Sequence, residues 1–204
     1  MEKTMTASEE LMTDGQVDNL VDKFRAAVRK HCSEFPRSAV QEALGVENLG
    51  MECLTPFRRR VEAISNLIVC RVKVNRNLSP QEVLNATGHR QYTDQKVVDG
   101  MPRGNGEETE VVFFNLGRYV NDDDLEKEYE IRGLKPADPY SLAAVNEADP
   151  TFTDQNHNST HWKDANGKWC YAAFFRWRGI ERYVRVFRFD CAWSGCWWFA
   201  GLRK

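Results

Sequence analysis

The chain has 204 residues, of which 42% are hydrophobic and 28% charged, with a formal net charge of −2. This is ordinary globular composition, long enough for one good-sized domain or two small ones, and it excludes a largely disordered chain. It also excludes a global basic bias toward nucleic acid, and no apolar run approaches the roughly 18 residues of a membrane span.

Residues 1–15 are polar and lack the basic-then-apolar order of a secretory signal, so they are expected to form a flexible N-terminus. A cytoplasmic protein with no membrane association is expected. Residues 16–66 form a helical segment. Val17, Leu20, Val21, Phe24 and Val28 fall on one helix face, and Arg29, Lys30 and His31 suit its negative end. A second helix is expected over 38–44 before Gly45, and a third over 56–68 from Phe57, Val61, Ile64 and Ile68.

Residues 67–204 are expected to form an α+β domain. Residues 67–75 read as a strand, since Val72 and Val74 alternate with Arg71 and Lys73. Ser79 and Pro80 start a helix that Gly88 ends, and Thr93 caps a short helix that Gly100 ends. Residues 108–119 form a second strand. Asn121 or Asp122 caps the next helix, with Asp122, Asp123 and Asp124 complementing its positive end. A short helix between prolines completes a central strand–helix–helix–strand section followed by two helices.

The last third differs. Residues 151–204 hold nine Lys or Arg against four Asp or Glu, a local net charge of +5, and all six tryptophans. Residues 168–178 alternate with period two after an Asn166–Gly167 turn, residues 181–189 read as the partner strand, and "CWWFAGL" as a third. A three-stranded antiparallel sheet, an aromatic β-meander within 160–204, is expected. Trp197 and Trp198 must point to opposite faces of any strand that holds them.

Candidate sites are few. His157 and His161 stand four apart, with Cys191 and Cys196 as further candidate metal ligands. Asn158, Ser159 and Thr160 are poor helix residues, no glutamate separates the histidines, and the two cysteines are widely spaced, so no metal and no cofactor is expected. The six cysteines (Cys32, Cys53, Cys70, Cys170, Cys191 and Cys196) follow no regular spacing and read as reduced, mostly buried thiols. No nucleophile elbow, phosphate loop or dinucleotide fingerprint occurs.

The clustered tryptophans and arginines are the strongest signal. Such residues dominate protein-binding surfaces, and they also build stacking platforms for single-stranded nucleic acid. They equally supply the bulk that a thin sheet needs in its core. The expectation is a non-enzymatic binding or adaptor protein that contacts a protein partner through Trp193, Trp197, Trp198, Arg176, Arg178 and Arg188. The alternatives are a single-stranded nucleic-acid-binding protein, or a hydrolase or transferase with a site around His157, His161 and Asp164.

Three stretches, Ser79–Pro102, Gly117–Phe152 and Thr160–Phe174, together with the tail "WWFAGLRK", resemble a family of small uncharacterised bacterial proteins. No activity, ligand or site residue comes with that resemblance. It implies that the aromatic C-terminal part belongs to the same folding unit as the middle of the chain.

Overall fold

The computed structural model describes residues 4–5, 12–65, 67–177, 179, 181–188 and 192–204. The chain divides into two compact units, one of residues 7–61 and one of residues 1–6 with 62–204. The first holds helices α1 (Asp14–His31) and α2 (Arg37–Leu44) and most of α3 (Leu49–Ser65). Helix α1 begins with a capping box in which Thr13 and Gln16 satisfy each other's backbone N–H groups. Its apolar stripe, Val17, Val21, Phe24 and Val28, is exposed.

The second unit is built on one sheet. Its strands are β1 (Thr4–Met5), β2 (Leu67–Lys73), β3 (Arg90–Thr93), β4 (Glu108–Asn115), β5 (Leu134–Pro136), β6 (Asn158–Lys163), β7 (Trp169–Trp177), β8 (Glu181–Arg188) and β9 (Trp198–Arg203). The order across the sheet is β1-β2-β4-β9-β6-β7-β8-β3, with β5 pairing β9. Helices α4 (Pro80–Ala86), α5 (Gln95–Asp99), α7 (Pro139–Ala148) and α8 (Phe152–Gln155) share one apolar cluster with Cys70, Phe113, Phe174 and Val186 of the sheet. Helix α6 (Asp122–Ile131) packs Leu125 and Tyr129 with Val112, Phe114, Ala173 and Phe199 in a second cluster. Because alternate strand residues point to opposite faces, the two clusters lie on opposite sides of the sheet. The architecture is α+β with its helices N-terminal and central.

The C-terminal part is not a three-stranded meander. β7 and β8 form the expected antiparallel hairpin, but β9 leaves it and runs between β4 and β6, antiparallel to β4 and parallel to β6. The driving force is burial. Phe199, Ala200 and Gly201 are buried on both faces, which an outer position in a small sheet does not provide. The polar stretch "NSTHWK", whose residues suit a helix poorly, is the central strand β6. Asn158 and Thr160 are satisfied in the interior, where Asn146 Nδ2 donates to Asn158 Oδ1 at 2.9 Å and the Thr160 hydroxyl donates to the Ala137 carbonyl, while the buried Ser159 hydroxyl has no hydrogen-bond partner. The central section also holds the short parallel strand β3, so the cap of α5 falls on Asp94, one residue after Thr93. The aromatic C-terminal strands and the middle of the chain share one sheet. Among the described residues, no helix is long and apolar enough to cross a membrane.

Candidate functional site

The site forms where α6 crosses β6. Asn121 caps α6 by accepting from the Asp124 N–H at 2.7 Å, so Asp122 enters the first turn. Residues four apart on a helix lie one above the other, which puts Asp122 and Glu126 on the sheet-facing stripe with Leu125 and Tyr129. On the opposite end of α6, Glu128 accepts from Arg118 and Arg132 at 2.7 Å each, which ties the end of the helix to the loop that precedes it.

Under this stripe lies His161, only 1% exposed, in the middle of β6. Its Nδ1–H donates to Asp122 Oδ1 at 2.7 Å. Its Nε2 lies 2.8 Å from Glu126 Oε1, an ion-pair distance without a hydrogen-bonding angle. The Trp193 indole N–H donates to the same Asp122 oxygen at 2.9 Å. Trp193 is held in place by paired backbone hydrogen bonds with Val120 at 3.0 and 2.7 Å. Trp169, diagonal to His161 across the β6–β7 pair, stacks on its ring with centroids 4.5 Å apart and planes 11° from parallel. Lys163 places its ammonium 4.5 Å above the Trp169 ring.

The electrostatics favour the imidazolium. Burial is the largest single influence and pushes the pKa of His161 down, but Asp122 and Glu126 reverse it, and the net value lies above the usual imidazole range. Tyr129, 5.7 Å from the imidazole, has its hydroxyl pKa pushed well up by burial and donates to the Ala200 carbonyl.

A cleft of about 470 Å³ opens above these groups. It exists because β6 pairs β9 through only Asn158 and Ser159, whereas β5 pairs the later part of β9. The wedge between β5 and the β6–β7 hairpin is lined by His161, Glu126, Trp169, Lys163, Lys135 and Asn105, among others. The side chain of Glu126 is 41% exposed, so it stands between the buried imidazole and solvent.

The residues singled out from the sequence separate. Trp193 is interior, 5% exposed, and serves Asp122. Trp197 and Trp198 are both half-buried and do point to opposite faces, Trp197 toward the α6 cluster and Trp198 toward the other. Arg176 pairs with Asp154 at 3.4 Å, and Arg188 with Asp164 at 2.8 Å. Asp164 closes the turn before β7 by accepting from the Asn166 and Lys168 N–H groups. Arg178 and Cys191 lie outside the described residues. His157 packs against Trp197 and Phe175, away from His161, and its pKa is lowered by burial. Cys196 is exposed beside the Ser194 hydroxyl.

Asp122 and Glu126 meet different nitrogens of one imidazole, so they do not converge on a shared point. Among the described residues, no group of three or more His, Cys, Asp or Glu is arranged to hold a metal ion. The sequence reading missed Glu126 and Trp169. The four-residue spacing of Asp122 and Glu126 was the available signal, but nothing local ties that spacing to a histidine 35 or more residues away. No family model, no curated protein and no solved structure matches the chain, so function is read from the geometry.

Proposed function

We propose that the protein is an enzyme that moves a proton on a small polar substrate held in the cleft between β5 and the β6–β7 hairpin. Glu126 is the group that meets the substrate, as acid or base. His161 is a positioning residue: its imidazolium faces the Glu126 carboxylate through Nε2 and holds it at the cleft. Asp122 holds the imidazole by Nδ1, and Trp193 holds Asp122. The observation that carries the reading is a buried imidazole with a carboxylate at each ring nitrogen, one of which opens on a cleft. Perturbed histidines beside carboxylates in clefts are the usual parts of general acid–base sites.

The test is a panel of chromogenic carboxylic esters, phosphate monoesters and acetals, assayed with the native protein and with Glu126→Gln. At least one substrate should turn over, and Glu126→Gln should slow it by on the order of 10²-fold or more. His161→Asn should in addition displace a limb of the pH–rate profile. Turnover that is unchanged in Glu126→Gln, or none across the panel, defeats the reading.

A second reading, protein binding through an aromatic surface, is favoured by Trp177 and Tyr92, 52% and 46% exposed. They sit on the face of β3, β8 and β7 opposite to α5 and α8, beside Tyr183 and Arg185. Arg90 on that face is paired with Glu181 at 3.0 Å, which favours a protein contact over a nucleic-acid backbone.

A further inference from the structure

The geometry points to a small anion, a carboxylate or phosphate group held between Lys135 and Lys163, as the ligand of this cleft. This rests on the acid–base reading, for which it supplies the substrate class. The volume of about 470 Å³ suits a small molecule.

The charges lining the cleft decide the sign of the ligand. The two carboxylates that line it each face a cationic side chain of the protein. Glu126 faces the His161 imidazole at 2.8 Å. Asp138 pairs with Arg76 at 2.8 Å and caps α7 by accepting from the Ser141 N–H at 2.9 Å. The two lysines are not balanced. Among the described residues, neither Lys135 nor Lys163 has a carboxylate partner; Lys163 has only the Trp169 ring beneath its ammonium. They come from opposite walls, Lys135 from β5 and Lys163 from the end of β6. A cation entering the cleft therefore meets only carboxylates that already face a cation of the protein, Glu126 and Asp138. An anion meets two ammonium groups without a carboxylate partner and the Asn105 side chain; the floor of His161, Asp122 and Glu126 carries one net negative charge, which the two lysines exceed, so the cleft stays positive. His161 Nε2 is a buried polar atom without a hydrogen-bond partner in that floor. Glu126 and the imidazole behind it are left to meet the remainder of the ligand.

The experiment is isothermal titration calorimetry of the full chain with inorganic phosphate and, separately, with acetate, at constant ionic strength. One of the two should bind saturably at one site, and which one binds identifies the anion as phosphate or carboxylate. Lys135→Gln and Lys163→Gln should each weaken that binding about tenfold, whereas Lys96→Gln, on the exposed side of α5, should not. Absence of saturable binding by both probes, or lysine variants that bind like the native protein, overturns the inference. Glu126→Gln separates the two readings. Anion binding that persists while its loss leaves turnover intact keeps the anion site and removes the acid–base reading; no anion binding with turnover abolished does the reverse.

Discussion

An imidazole with a carboxylate at each nitrogen has no neutral tautomer that serves both. One nitrogen would present its lone pair to a carboxylate oxygen, so the protonated ring is the consistent state. His161 is in this position, 1% exposed, with Asp122 only 4% exposed beside it. Removing the ring leaves the Asp122 carboxylate buried with only the Trp193 indole as donor. His161→Ala should therefore destabilise the fold by about 3–5 kcal/mol, the range for breaking a buried pair. Denaturant midpoints with unchanged slope check this, and a loss under about 1 kcal/mol would mean that Asp122 finds water instead. His161 was visible in the sequence as a candidate metal ligand and, with His157 and Asp164, as an alternative hydrolase or transferase site, and Asp122 only as a helix-end charge. Their pairing depends on α6 crossing β6, a contact between residues 39 positions apart that no local pattern encodes.

At the scale of elements, what could be read was what is written locally. The caps at Ser79 and Asn121 and the period-two alternation before Trp177 each mark an element found in the structure. β6 was not readable because its polar residues find partners in other elements, Asn146 of α7 and Asp122 of α6. A strand whose polar groups are satisfied at long range has the composition of a loop. The same logic separates the tryptophans. Trp193 looks like a surface contact in sequence and is interior, whereas Trp177, placed within an apolar strand, is the more exposed. If the β3–β8–β7 face is a contact surface, Trp177→Ala combined with Tyr92→Ala should shift stability by no more than about 0.5 kcal/mol, as surface substitutions do. Thermal unfolding followed by circular dichroism measures this; a loss above about 2 kcal/mol would assign the two rings to the fold and remove the contact reading.

At the scale of the whole molecule, the histidines of the sheet unit oppose one another. His89 and His157 have pKa values lowered chiefly by burial, so each is neutral in the fold and protonates first in the unfolded chain. Their contribution is present above the ordinary imidazole value of about 6.5 and is lost as the pH falls from there through the folded values. His161 has the opposite sign: its raised pKa adds stability that is complete below about 6.5 and is lost as the pH rises through the folded value. Stability should therefore peak near neutrality and decline on both sides. His161→Ala should abolish the decline on the alkaline side and leave the acidic one. Urea midpoints between about pH 5 and 8 report both limbs, and an alkaline limb that survives the substitution contradicts the assignment.

The placement of β9 has a consequence for how the molecule comes into being. It is last of the nine strands in chain order, yet it lies between β4 and β6, neighbours that precede it by at least 80 and 30 residues. Until β9 is made, the β1–β2–β4 ribbon and the β6–β7–β8–β3 ribbon are not paired to each other, and each presents an unpaired inner edge. Synthesis thus passes through a stage with two adhesive half-sheets waiting for one six-residue strand. Non-local pairings of this kind close late and slowly. The growing chain depends on that insertion both to join the two half-sheets and to withdraw two edges from its neighbours in the cell.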